Sequence, residues 1–262
     1  MARSALLNVM VAAVLKAGRT LARDFGEVEN LQVSMKGPGD FVSAADKKTE
    51  RTLIEELSRA RPGYGFLAEE SEAVEGSDRS HRWIIDPLDG TTNFLHGIPI
   101  FAISVALERE GQIVAGVIFN PVMNELYVAE RGGGAFMNDR RMRVANRNSL
   151  ADSVIATGIP HLGRPGHADY LKKLPNVMLE VAGIRRNGAA ALDLAWVAAG
   201  RFDAFWEQGL HPWDMAAGML LIREAGGFVS DLAGGEKIFE TGGICAGNET
   251  IHRRLLTVLA KA

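Results

Sequence analysis

The segment W-I-I-D-P-L-D-G-T-T-N-F, Trp83 to Phe94, constrains this chain more than any other. Its first three residues read as a buried strand, yet Asp86 and Asp89 follow and the segment ends in Gly-Thr-Thr-Asn-Phe with no charge to balance them. Pro87 removes a backbone donor and fixes φ, so the chain is expected to leave the sheet there. On a turning backbone a spacing of three lets both carboxylates point to one side, with the Leu88 carbonyl between them as another hard oxygen. Gly90 permits a tight approach, and Thr91-Thr92-Asn93 reads as a helix start whose free N–H groups favour an anion. Cation ligands and an anion cradle thus adjoin.

Further carboxylates stand at element ends elsewhere: Glu69 and Glu70 after Phe66-Leu67-Ala68, and Asp214 at the start of a helix after His211-Pro212-Trp213. Each has an ordinary explanation when taken alone. Asp214 reads as a helix N-cap, Asp46 as the capping-box partner of Ser43, and Glu69-Glu70 as a solvated strand end. If the acids converge, like charges about 4 to 5 Å apart repel by roughly 3 to 4 kcal/mol per pair at an effective dielectric near 20. Such a cluster needs a cation. The donors are all oxygens, with no His or Cys at metal spacing, so Mg²⁺ fits better than Zn²⁺ and more than one ion is expected.

The 47% hydrophobic content of these 262 residues supports a sizeable core. A net charge of −3 provides no basic field for a nucleic-acid backbone, and direct nucleic-acid binding is not expected. Cys245 is the only cysteine, which fits a reducing cytoplasm. Leu7, Met10, Val14 and Leu21 mark an amphipathic first helix, and no apolar stretch is expected to span a bilayer. A loop is expected over Lys36 to Ser43, then a helix from Ala44 to Arg61 ended by Pro62-Gly63.

Short apolar runs at 66–68, 83–85, 101–107, 113–119 and 125–128, joined by Glu110-Gly111 and Asn120-Pro121 turns, predict a largely antiparallel sheet. The second half alternates, with strands at 153–157, 177–181 and 228–230 and helices at 189–199 and 213–225. A single domain over 1–262 is expected, its halves 1–148 and 149–262 meeting near Arg147-Asn148-Ser149. The remaining polar clusters take ordinary roles. Arg131-Gly-Gly-Gly134 reads as a hairpin turn, Arg140, Arg141 and Arg143 as a solvated strand edge, Arg185-Arg186 as a solvated pair with a subunit-interface or substrate-rim role as its alternative, and His211 as a packed structural residue.

The opening segment, together with F-L-A-E-E-S at 66–71, D-F-V-S-A-A-D at 40–46, G-G-G-A-F-M-N at 132–138 and H-P-W-D-M-A-A-G-M-L-L-I-R-E-A-G-G at 211–227, resembles the inositol monophosphatase family over nearly the whole chain. One departure is Ala68, where the family usually has Gly before its two glutamates. The resemblance implies an α+β fold, a layered αβαβα sandwich of the inositol monophosphatase and fructose-bisphosphatase type. It implies Glu69, Asp86 and the Leu88 carbonyl on one Mg²⁺, Asp86, Asp89 and Asp214 on a second, and a third ion held by Glu69 and water. Gly90 and Thr91 would meet phosphate, and Thr91, bonded to Asp46, would deprotonate the attacking water with Glu69. Lys36 would support the metal site. Ala190 and Glu207, with Asp89 and Asp214, would contact the substrate.

The activity so implied is lithium-sensitive hydrolysis of inositol monophosphates by a cytoplasmic homodimer. Fructose 1,6-bisphosphate, 3′-phosphoadenosine 5′-phosphate and histidinol phosphate are the rival substrates within the superfamily. A transcription-associated role with RNA polymerase as partner is the rival from another class.

Overall fold

A computed structural model describes residues 3–27, 33–37 and 40–261, side chains of 33–37 and 40–42 excepted. Helix α1 (Ala5–Phe25) starts where the Ser4 hydroxyl accepts the Leu7 N–H, and it buries Leu7, Met10, Val14 and Leu21 on one stripe. By length and composition alone α1 is long and apolar enough to cross a bilayer, with a mean hydropathy of 1.4, contrary to the expectation that no stretch reaches that far. The helix gets there by mixing apolar residues with short polar interruptions, and its apolar stripe is instead packed against the next helix and a sheet.

Strands β1 (Val33–Gly37) and β2 (Asp40–Ser43) form an antiparallel hairpin where a loop was expected. Gly37 pairs with Asp40, and Pro38 and Gly39 lie outside the described residues. Helix α2 (Ala44–Ala60) then opens on the expected capping box, Ser43 with Asp46, and buries Thr49, Leu53 and Leu57.

The strands β3 (Tyr64–Ala68), β4 (Asp78–Asp89), β5 (Ala102–Arg109), β6 (Gln112–Asn120), β7 (Glu125–Glu130), β8 (Gly134–Met137) and β9 (Arg140–Arg141) make one sheet in chain order. Only β3 with β4 is parallel; every later pair is antiparallel. A short helix, α3 (Thr91–Leu95), connects β4 to β5. The second half supplies β10 (Val154–Thr157), α4 (His167–Met178), β11 (Gly183–Arg185), α5 (Ala190–Ala198), β12 (Ala204–Glu207), α6 (Pro212–Glu224), β13 (Phe228–Ser230), α7 (Ile238–Thr241), β14 (Ile244–Gly247) and α8 (Glu249–Leu259). Its sheet runs β11-β10-β12-β14-β13, parallel across the first three strands and antiparallel beyond.

The strand expected at 177–181 is the end of α4 and the turn after it. Tyr170, Leu174 and Val177 recur at helical spacing and face the core beside α8, a period that a five-residue window cannot separate from a buried strand.

Three apolar clusters define five layers, the expected αβαβα order. Helices α1 and α2 cover one face of the large sheet, α5 and α6 lie between the sheets, and α4 and α8 cover the outer face of the small one. Trp83 and Ile85 point to α1 and α2 while Ile84 points to α5 and α6, which explains an apolar run without alternation. The central layer is thin because its contacts are small. A Cβ on Gly116 would sit 3.0 Å from the Ala217 Cα, and one on Gly218 would sit 2.5 Å from the Leu194 Cβ. Gly218→Val is therefore expected to overpack α5 against α6 at a cost of about 1 to 3 kcal/mol. An unchanged urea midpoint for that variant would rule out so close an approach.

Candidate active site

Pro87 does not take the chain out of the sheet. Asp86 pairs with Ser104 and Asp89 with Ala102, so three steps on β4 oppose two on β5 and the extra residue forms a bulge. The β5 partner absorbs what the sequence reading took for a strand end. The bulge aims Asp86 and Asp89 into a cleft of about 140 Å³, which Glu69, Thr91, Glu207 and Asp214 also line.

Each acid is oriented by backbone. Asp86 Oδ1 accepts the Leu88 N–H at 2.9 Å, across Pro87. Asp214 Oδ2 accepts the His211 N–H at 2.7 Å as the third residue of α6, so Asp214 is the capping-box acid and His211 the N-cap, not the reverse. Asp89 reaches the other half of the chain: its Oδ1 accepts the Ala190 N–H at 3.2 Å and its Oδ2 the Ala191 N–H at 2.7 Å. It thereby caps α5, whose own N-cap, Ala189, has no capping side chain. Glu69 follows β3, its N–H donating to the Ile85 carbonyl at 3.2 Å, and Ala68 pairs regularly with Ile85, so the Ala for Gly departure disturbs nothing.

Asp86, Asp89 and Asp214 each offer an oxygen within 4.8 Å of the others. Opposed ligands of an octahedral Mg²⁺ stand about 4.2 Å apart, so small rotations would close the cluster on a hard cation. The all-oxygen donor set fits that group. Without a cation the charges are costly. Burial first, then the charges of Glu69, Asp89 and Asp214, hold the Asp86 carboxyl well above its usual range. Burial and Asp214 do the same to Asp89, while the Ala191 N–H opposes the shift.

Asp46 divides its two oxygens between tasks. Oδ2 accepts the Ser43 N–H at 2.8 Å and the Ser43 hydroxyl at 2.5 Å, whereas Oδ1 accepts the Thr91 hydroxyl at 3.0 Å. The same hydroxyl stands 3.0 Å from the Leu88 carbonyl, so its single proton has two acceptors. Gly90, with φ of 90°, turns the chain into α3, and a Cβ there would meet the Ile100 carbonyl at 2.9 Å. Glu207 ends β12 with its carboxylate packed so tightly on Gly158 that a Cβ would lie 1.8 Å from Oε1. Its carboxyl is pushed up to about 8, by burial first and then by Asp193 and Asp214.

Lys36 lies in β1, but its side chain falls outside the described residues. Ala190 lines the cleft with its N–H committed to Asp89. Sequence reasoning missed His161 and Arg164 in the cleft wall; Arg186, read as solvated with a substrate-rim role as its alternative, is exposed and also lines the cleft. It also missed Glu50, a buried α2 residue whose Oε2 accepts the Glu70 N–H at 2.9 Å and steadies the strand end that carries Glu69. Charge on a buried helix face was the available signal. Arg131-Gly-Gly-Gly134 is a hairpin turn, and Gly132 and Gly134 donate to the Glu224 carboxylate, both at 2.8 Å. His211 is exposed but stacks on Trp213 with centroids 4.7 Å apart.

A bulged strand delivering acids to a cleft beside a short helix start defines a cation-assisted centre for anionic substrates. The model of the inositol monophosphatase family matches residues 2–262, and the chain belongs to that family of phosphatases. It is 69% identical over 261 residues to the inositol-1-monophosphatase of Mesorhizobium japonicum, covering all of this chain and 98% of the relative. It is also 43% identical to the Nus factor SuhB of Escherichia coli K12, over 96% of this chain and 94% of the relative. The crystal structure of the extragenic suppressor protein suhB from Bartonella henselae superposes with a TM-score of 0.97 at 64% identity, covering 99% of this chain and 100% of that one.

The raised carboxyls set a pH dependence. Groups whose folded pKa is raised favour folding below their ordinary values of 3.8 and 4.5; that contribution is lost for Glu207 as pH climbs through about 8, and for Asp86 and Asp89 as pH climbs through their raised range. In chelator the protein is expected to lose thermal stability between pH 5.5 and pH 8. Mg²⁺ at a hundred times its Kd is expected to return about 2.7 kcal/mol at pH 8, roughly 5 to 10 °C, and less at pH 5.5. A melting temperature that responds equally to Mg²⁺ at both pH values would contradict the mutual repulsion of these acids.

Proposed function

We propose that this protein hydrolyses inositol monophosphates to inositol and phosphate with two or three Mg²⁺ ions, and that it works as a lithium-sensitive cytoplasmic homodimer. One observation carries the reading: carboxylates from β4 and α6 meet beside the Gly90-Thr91 turn, in a chain of this family.

The residues that would hold the ions are Glu69, Asp86 and the Leu88 carbonyl on one side and Asp86, Asp89 and Asp214 on the other, with Glu69 and water for a third. Bound there, Mg²⁺ supplies positive charge that makes a water nucleophilic near neutral pH and steadies the departing alkoxide. The backbone of Gly90 and Thr91 orients the phosphate. Thr91 Oγ1 and Glu69 flank the attacking water as proton acceptors. When Thr91 Oγ1 takes a proton it can release its own to Asp46 Oδ1, which already accepts it at 3.0 Å. Burial raises the Asp46 carboxyl, which favours that transfer, and Ser43 holds Oδ2 so that Oδ1 faces Thr91. Glu207 and the wall at Ala190 contact the hydroxyls of the substrate's alcohol half, and Lys36 supports the metal site electrostatically.

Asp46→Asn can still accept from Thr91 but is a far poorer home for a proton. It is expected to lower kcat by about 10²- to 10⁴-fold, the usual weight of general acid–base catalysis, with a small change in KM. The parent is to be assayed for Mg²⁺-dependent phosphate release, with and without Li⁺, on inositol 1-phosphate, glycerol 2-phosphate, fructose 1,6-bisphosphate and 3′-phosphoadenosine 5′-phosphate. Inositol 1-phosphate is expected to lead. A lead of orders of magnitude for the bisphosphate or the nucleotide would refute the substrate, and full activity in Asp46→Asn would refute the proton path.

The likeness to a Nus factor favours a second, transcription-associated reading. Retention of RNA polymerase by immobilised Asp214→Asn protein would support it independently of turnover, and no retention beside intact hydrolysis in the parent would leave the enzyme alone.

A further inference from the structure

Buried Asp193 has no part in the ligand set or the proton path, yet it ends a chain of hydrogen bonds that ties α5 to α3. Asn93 stands on α3, two residues past Thr91, and is buried. Its amide nitrogen donates to the Ile100 carbonyl at 2.7 Å and to the Asn187 carbonyl at 2.8 Å, which uses both of its hydrogens. Asn187 in turn donates from Nδ2 to Asp193 Oδ1 at 2.6 Å. Asp193 lies in the first turns of α5, with only 1% of its surface exposed.

The two helices that it joins each begin in the lining of the cleft. On one side α3 begins at Gly90 and Thr91. On the other, α5 begins at Ala190 and Ala191, whose N–H groups hold Asp89. Between them the segment 186–189 bends at Gly188, where φ is 83° and a Cβ would lie 2.7 Å from Arg186 Nη1 and 3.4 Å from Asn93 Nδ2. At that φ an L side chain is strained, so glycine makes the bend. A buried polar chain of this kind costs more than apolar packing of the same volume unless every member is satisfied, and what it gives in return is a fixed geometry.

We propose that Asn93, Asn187 and Asp193 form a strut that sets the spacing between the α3 start and the α5 start, and so aligns the phosphate held at Gly90-Thr91 with the acids that include Asp89. The three are positioning residues. The inference rests on the phosphatase reading above. Misplacing reacting groups by about 1 Å costs on the order of 10²-fold in rate, so the strut acts through alignment and not through contact with the substrate.

The test compares Asp193→Leu, Asp193→Asn and Asn187→Ala as full-length, Mg²⁺-loaded protein on inositol 1-phosphate. Asp193→Leu and Asn187→Ala are each expected to lower kcat by about 10- to 100-fold, with KM within about threefold. Their double variant is expected to be no worse than the poorer single one, because both cut the same chain. Asp193→Asn keeps an oxygen for Asn187 and is expected to hold kcat within about threefold of the parent. Binding of inorganic phosphate with Mg²⁺, read by calorimetry, is expected to weaken in Asp193→Leu and not in Asp193→Asn.

Parent-like kcat in Asn187→Ala overturns the strut, whether or not Asp193→Leu folds. So does an Asp193→Asn variant as impaired as Asp193→Leu, which would make the charge and not the hydrogen bond the working feature. Failure of the phosphatase reading has a different signature: the parent itself would release no phosphate, while the calorimetric comparison would still report on the strut.

Discussion

The mutual repulsion of buried carboxylates is the interaction on which the rest of the structure depends. Asp86 and Asp89 are nearly inaccessible to water, and Asp214 joins them within 4.8 Å. Such groups would turn aside or take up protons unless something fixed them in place. What fixes them is backbone. Asp86 takes the Leu88 N–H, Asp214 the His211 N–H, and Asp89 the first two N–H groups of α5. Charge-assisted bonds of this kind are roughly twice as strong as neutral ones. They hold the acids in the one arrangement in which a cation is the remaining requirement.

That arrangement explains the central layer. Helices α5 and α6 both begin at the cluster, so their placement decides its geometry. Small residues let them lie close to each other and to the large sheet, as Gly218 does against Leu194 and Gly116 against Ala217. Helix α6 is also held at its far end, where Gly132 and Gly134 grip Glu224 with two backbone N–H groups. A helix anchored at the cluster by Asp214 and at the opposite rim by Glu224 has little freedom to tilt. The turn that resembles a phosphate loop does bind an anion, but the anion is the protein's own.

Much of this was legible because it is local. The capping box at Ser43 and Asp46, the break at Pro62-Gly63, the two-faced apolar run before Asp86 and the turn at Gly90 depend on residues within a few positions of one another. What was not legible depends on partners far along the chain. Pro87 reads as the end of a strand until Ala102 and Ser104 show that the ladder resumes beyond a bulge. Asp89 capping α5 joins residues about a hundred positions apart, and nothing near Ala189 advertises the missing cap. The helical period of Tyr170, Leu174 and Val177 needs a window longer than the one that suggested a strand, and the pairing of β1 with β2 joins residues that Gly and Pro in the sequence made read as a loop. The resemblance to a known family named the acids and the Thr91–Asp46 bond, but not the backbone hydrogen bonds that hold Asp86, Asp89 and Asp214.

The ordinary and the chemical explanations of these acids are not alternatives. A carboxylate has two oxygens and about four lone-pair sites, so one oxygen can serve the backbone while the other faces the cleft. Asp46 does this with Oδ2 on Ser43 and Oδ1 on Thr91. A free carboxylate on a long side chain would lose rotamer entropy on meeting a metal or a proton donor, whereas a capping acid has already lost it in folding. Helix starts therefore place acids well for chemistry: the cap fixes the side chain before the substrate arrives. On that view the capping geometry of Asp46 and Asp214 argues for their use in the site, and the weight given to a bland explanation should fall, not rise, when its geometry turns out to be good.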